Sequence, residues 1–117
     1  MPLNFTDRPL VYLAAPYTVP EPVENLHQVI QMADELQATG LVTCLVPHTS
    51  MTWHLVAPKS VAHWYAHDLA LLARCDALLR LPGLSAGADD EVRFAEDRDI
   101  KVFRHVDDLL DWAGGES

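Results

Sequence analysis

Apolar positions fall along this chain in two rhythms. Four short runs, 10–15, 41–46, 77–81 and 100–103, read as strands, the first of them apolar at both parities. Such a run suits a strand buried on both faces, as in a parallel sheet. Between them the spacing becomes helical. Val23, Leu26, Val29, Ile30, Ala33 and Leu36 recur on one face, and Gly40 ends the pattern as a C-terminal glycine does. Thr18 and Glu21 stand at capping-box spacing before that helix. Ser60 caps a second helix with Val61, Trp64, Tyr65, Asp68, Leu72 and Cys75 on one face. A third helix opens on Asp89, Asp90 and Glu91 and runs to about Arg98, and a fourth covers 106–112. Residues 48–59, rich in Thr, Ser, His and Trp, read as a loop. The order β-α-β-α-β-α-β-α predicts an α/β fold. The expected architecture is a flavodoxin-like (Rossmann-like) three-layer sandwich whose parallel sheet has four or five strands in the order 2-1-3-4.

Composition narrows the partners. The 117 residues are 50% hydrophobic and 21% charged, which suits one soluble domain spanning 1–117. No apolar run approaches the ~18 residues that cross a bilayer. The first residues lack the basic start and apolar middle of a signal peptide, so the expected location is cytoplasmic. The net charge is −9, with no Lys or Arg between Arg8 and Lys59. Nucleic-acid polymers need a basic footprint, so a small ligand is the better expectation. Cys44 and Cys75, 31 positions apart, lack metal spacing and read as small buried hydrophobes.

Several residues carry chemistry. The stretch D-A-L-L-R-L-P-G-L-S-A-G-A-D-D-E, 76–91, is a strand, a glycine-containing turn and a helix start. Ligands of α/β proteins sit outside the carboxyl ends of such strands. Carboxylates in a helix's first turn are stabilised as anions, so Glu91 is expected ionised at neutral pH. Asp68 stands on an otherwise apolar helix face, and is either a helix-edge residue reaching solvent or a buried carboxylate facing a pocket. Tyr12, inside the first strand, is either a core aromatic or a partner that orients Glu91. Tyr17 and Trp53 either wall an aromatic ligand or pack at the sheet edge. His63 and His67 are spaced i, i+4 but lack the H-E-x-x-H glutamate. No metal and no cofactor is expected. No nucleophile elbow, P-loop or dinucleotide fingerprint is present.

Three motifs together resemble the nucleoside 2-deoxyribosyltransferase-like superfamily, which includes 5′-nucleotide N-glycoside hydrolases. They are V-Y-L-A-A-P-Y at 11–17, H-D-L-A-L-L-A-R-C-D at 67–76 and S-A-G-A-D-D-E at 85–91. The resemblance spans roughly 10–103. It implies an N-glycosidic bond hydrolase or transferase acting on a nucleoside or nucleoside 5′-monophosphate. It further implies Glu91 as nucleophile, Asp68 at the sugar hydroxyl or the leaving base, and Tyr12 holding Glu91 in line. Ala15, Tyr17, Ser85 and Gly87 would form a phosphate cradle, with His48 and Trp53 also contacting substrate. Members are usually homodimers or larger, and Trp53, His54 and Trp64 are natural contributors to such an interface. Asp89 and Asp90 depart from the family pattern. They would repel a phosphate or raise the Glu91 pKa. That crowding favours an alternative of another class, a non-catalytic nucleotide-binding or sensing module.

Overall fold

The computed structural model describes residues 4–17 and 21–115. Four strands, β1 (Leu10–Ala14), β2 (Thr43–Leu45), β3 (Ala77–Arg80) and β4 (Lys101–Phe103), form one sheet in the order β2-β1-β3-β4. Every pairing is parallel, with Tyr12 beside Leu78, Ala14 beside Arg80 and Leu78 beside Val102. The helices are α1 (Pro22–Ala38), α2 (Ser50–Val56), α3 (Val61–Leu72), α4 (Ala86–Asp97) and α5 (Val106–Ala113). Single 3₁₀ turns at Phe5–Asp7 and Pro47–Thr49 complete the elements. The expected fold class and strand order are those observed.

Strand parity sorts the core into two halves. Val11, Leu13, Ala77 and Leu79 face Val29 and Leu36 of α1 and Leu109 of α5. Tyr12, Ala14 and Leu78 face Leu72 at the end of α3, Cys75 beyond it, and Ala88, Val92 and Ala95 of α4. The inner strand β3 is buried at every position, while the edge strands β2 and β4 are only partly covered. A two-sided apolar run therefore marks burial from both layers, as its sequence implied.

Local chemistry sets the helix ends. Ser60 Oγ accepts the His63 amide at 3.1 Å, and Ser85 Oγ accepts the Ala88 amide at 3.0 Å. These side chains satisfy amides that the first helical turn leaves without partners. Glu21 is itself the cap of α1, accepting the Glu24 amide at 2.7 Å ahead of Pro22. The expected capping box would have placed Glu21 inside the helix; its other member, Thr18, lies outside the described residues.

Two further expectations need correction. The segment 48–59 is not a loop throughout, because Ser50–Val56 is the helix α2. Its Thr and β-branched residues lower helix propensity only modestly, and no glycine or proline interrupts the chain between Pro47 and Pro58. Nor does α3 turn its Val61–Tyr65 face toward the sheet: Val61 is 86% exposed and Tyr65 40%, whereas Leu72 is fully buried. Only the end of this helix lies on the core, so periodicity along its first turns did not report burial.

Candidate active site

Two loops meet at the carboxyl ends of β1 and β3. After β1 the chain runs through Ala15, Pro16 and Tyr17, and after β3 through Leu81 to Leu84 into α4. Gly83 holds φ +120°, and a Cβ there would lie 2.7 Å from Pro16 Cγ. Only glycine allows both that backbone and that approach. This contact brings together segments almost seventy residues apart, at the point where the strand order reverses, which is where α/β sheets bind ligands.

Beneath the loops, on the α3–α4 side, sits a polar group in an otherwise apolar layer. Tyr12 is fully buried and its hydroxyl donates to Glu91 Oε2. Glu91 is 9% exposed and its pKa rises to about 7. Burial is the main cause and the Asp68 charge adds to it, while the Tyr12 hydrogen bond and the Arg80 charge oppose. Asp68 keeps 21% of its side chain exposed, and burial lifts it to about 6 against the pull of His67, whose Nδ1 is 3.5 Å from Asp68 Oδ1. The Tyr12 hydroxyl is pushed up by burial, then by Glu91 and Asp68. Tyr12, Asp68 and Glu91 therefore act on one another electrostatically, and Asp68 is a partly buried carboxyl that lines neither of the cavities described below.

Glu91 is less readily ionised than the sequence suggests, its pKa of about 7 leaving it part-protonated at neutral pH, and the reason is positional. Capping by Ser85 starts α4 at Ala86, so of the three carboxylates only Asp89 lies in the first turn. Glu91 stands beyond the strongest part of the helix-end field, where desolvation wins. Of the two effects expected from Asp89 and Asp90, a rise in the Glu91 pKa is not observed. Asp89 Oδ1 accepts from Arg80 Nη2 at 3.1 Å and Nε at 3.3 Å, and Asp90 accepts from Arg93. Neither is among the groups that raise Glu91.

The remaining expected residues take distinct places. Ser85 uses its Oγ as a cap, and Gly87 is exposed in the first turn of α4. Ala15 lines a cavity of about 560 Å³ on the α1 side, with Pro16, Asn25 and Gln28. Asn25 Nδ2 donates to the Tyr17 carbonyl at 3.0 Å. His48 is 3% exposed; its Nε2 lies 2.9 Å from the Pro16 carbonyl and its ring centroid 5.5 Å from that of Tyr17. Burial lowers its pKa against that bond, so a neutral ring with Nε2 donating props the β1 loop from below. Trp53, 53% exposed, lines a second cavity of about 580 Å³ with Thr49, Ser50 and His67. Neither cavity is lined by Tyr12 or Glu91; His67 links the second to Asp68. Trp64 Nε1 donates to His54 Nδ1 at 2.8 Å, with His63 and His67 ring centroids 5.1 and 5.4 Å from its own. Among the described residues no three His, Cys, Asp or Glu gather in a metal-holding group.

Sequence reasoning passed over Arg80. It is 7% exposed and reaches Asp89, the Leu81 carbonyl and, at 2.8 Å, the Gly83 carbonyl. A signal was present: an arginine ending a strand otherwise apolar at both parities needs buried partners.

With this geometry in view, comparison with known proteins places the chain. Its sequence matches a family described as a domain of unknown function, DUF4406, over residues 9–104. The chain belongs to the DUF4406 family. That match takes in all four strands, both loops, and Tyr12, Asp68, Arg80 and Glu91. No curated protein matches this DUF4406 chain in sequence. Among solved structures, it is similar to a 2-deoxyribosyltransferase from the psychrotolerant bacterium Bacillus psychrosaccharolyticus. The two share 16% identity at a TM-score of 0.57, covering 80% of this chain and 69% of that one. The likeness is one of fold. No helix among the described residues is long and apolar enough to cross a membrane.

Proposed function

We propose that this DUF4406 protein cleaves or transfers the N-glycosidic bond of a nucleoside or nucleoside 5′-monophosphate, with Glu91 as nucleophile. The observation that carries this reading is the Tyr12 hydroxyl donating to a buried Glu91 beside a second raised carboxyl, Asp68. The shared fold with a 2-deoxyribosyltransferase supports the same class of chemistry.

In the proposed reaction a Glu91 oxygen attacks the anomeric carbon as the C–N bond breaks. The bonding pair leaves with the base nitrogen, which takes a proton from Asp68. Water, or a second base, then displaces Glu91, and Asp68 accepts the proton of the incoming nucleophile. The balance closes without a cofactor. Between about pH 6 and 7 the two raised carboxyls hold about one proton between them, first on Glu91, and the reactive form is the one that carries it on Asp68. The Tyr12 hydrogen bond favours the form with the charge on Glu91. In this reading the amides after Ser85, with Ala15 and Tyr17, face the sugar's 5′ end, and Trp53 and His48 serve the base side.

A homodimer forms part of the proposal. Trp53, Leu55, Val56 and Val61 are 53%, 76%, 87% and 86% exposed on neighbouring helices, more apolar surface than one helix pair usually leaves bare. The net charge of −9 argues against polymeric nucleic acid as partner, and a cytoplasmic location belongs to the same reading.

Incubating the purified protein with a panel of nucleosides and 5′-monophosphates, and separating free base by chromatography, tests the reaction. Base release that Glu91→Gln abolishes is the expected result; release that survives the substitution removes Glu91 from the mechanism. One observation favours the alternative of a nucleotide-binding module, namely that Glu91 and Tyr12 are closed off from both cavities. Calorimetric binding of a nucleotide recovered intact would select it.

A further inference from the structure

Arg80 ends β3 on the same sheet face as Tyr12, since Ala14 pairs with Arg80 and Tyr12 with Leu78. Its side chain is 6% exposed. The guanidinium carries five N–H donors in a rigid fork, and its contacts account for most of them. Nε and Nη2 go to Asp89 Oδ1, Nη2 also to the Gly83 carbonyl, and Nη1 to the Leu81 carbonyl. A fork so engaged is not a phosphate receptor. It ties the end of β3, the turn that leans on Pro16, and the first turn of α4 into one frame. The groups acting on Glu91 are Tyr12 from β1, Asp68 from α3 and Arg80 from β3, and of these Arg80 alone is a cation.

We propose that Arg80 is the positioning residue of this site: it fixes the 81–85 turn relative to α4, and its charge is divided between Asp89 and Glu91. The catalytic consequence rests on the glycosidase reading; the electrostatic one does not. Asp89 acts as a governor in this arrangement. It holds the fork in place and takes up part of the positive charge that Glu91 would otherwise receive.

Removing either partner therefore moves Glu91 in opposite directions. Without Arg80 the Glu91 carboxylate loses its cation, and its titration rises. Without the Asp89 charge, Arg80 acts on Glu91 less compensated, and the titration falls. A role confined to holding the loop gives no such opposition.

The test uses the full chain labelled with ¹³C-carboxyl glutamate, with the Glu91 resonance followed between about pH 4 and pH 9. Arg80→Met is expected to raise the Glu91 titration by at least ~0.5 pH unit. Arg80→Lys should keep it nearer the wild type, and Asp89→Asn should lower it. Coincident titrations of wild type and a folded Arg80→Met, or shifts of the same sign in Arg80→Met and Asp89→Asn, overturn the proposal. Should Arg80→Met fail to fold, Asp89→Asn decides alone: a fall supports the proposal and an unmoved curve overturns it. Base release is read separately on the same samples. A wild type that releases no base from any substrate sinks the glycosidase reading and leaves the titration result standing.

Discussion

The two faces of this sheet are made by the same strands and are chemically unlike. Against α1 and α5, β1 and β3 present Val11, Leu13, Ala77 and Leu79, and the half-core there is apolar. Against α3 and α4 they present Tyr12 and Arg80, which meet Glu91 and Asp89 across an otherwise apolar layer. One face is mainly packing, although both halves bury apolar side chains. The other holds buried polar groups that cost free energy unless paired, and each polar group fully buried there has a partner from another element. A parallel sheet with both faces covered can keep its chemistry on one side and its packing on the other, because successive residues along a strand point to opposite faces.

The contrast is broken most sharply by one substitution on each face. Glu91→Gln should lower base release by at least ~10³-fold, as loss of a nucleophile does, with the fold intact in near-ultraviolet dichroism. Leu13→Ala, fully buried on the other face, should cost about 2–5 kcal/mol in urea unfolding and leave the Glu91 titration unchanged. An active Glu91→Gln, or a Leu13→Ala of wild-type stability, would end the division of labour.

Acid–base linkage sharpens the same comparison. The Glu91 pKa goes from 4.5 to about 7 on folding. A raised carboxyl favours the folded state below the unfolded value, and that advantage is lost as pH rises through about 7. Glu91→Gln keeps an acceptor for Tyr12 and cannot ionise. Its unfolding free energy should match wild type near pH 4 and exceed it by about 1–3 kcal/mol above pH 8. A difference independent of pH would show that Glu91 is ionised freely in the folded protein. Smaller still is the effect at the site's margin. Asp68→Asn should lower activity by ~10-fold or more and remove one limb of the bell-shaped pH–rate profile, whose limbs in the wild type should stand near 6 and 7. A profile unaltered by Asp68→Asn would remove Asp68 from proton transfer.

Much of this was legible in the chain. The two-sided run 10–15 announced an inner parallel strand, and Ser60 announced a helix start that its capping bond bears out, whereas Ser85, read as part of a turn, is the cap of α4. The Tyr12–Glu91 contact was one of two readings of a tyrosine inside a strand. Legibility failed where a residue's fate depends on what packs over it. Val61 and Tyr65 fit a helical stripe, yet the first turns of α3 run beyond the sheet and leave them exposed. The pKa of Glu91 rises because α4 starts about one turn earlier than its carboxylates suggest, which leaves Glu91 to desolvation rather than to the helix-end field.

Sequence by itself determined the four strands, four of the five described helices and their order, because period, caps and breakers act within a few residues. Tertiary structure alone decided which charges meet, which are paired and which carboxyl keeps its proton. Tyr12 and Glu91 lie 79 positions apart, and nothing local links them. Their contact exists because β1 lies beside β3 and α4 folds back over both, and the desolvation that sets the charge of Glu91 appears only when those layers close.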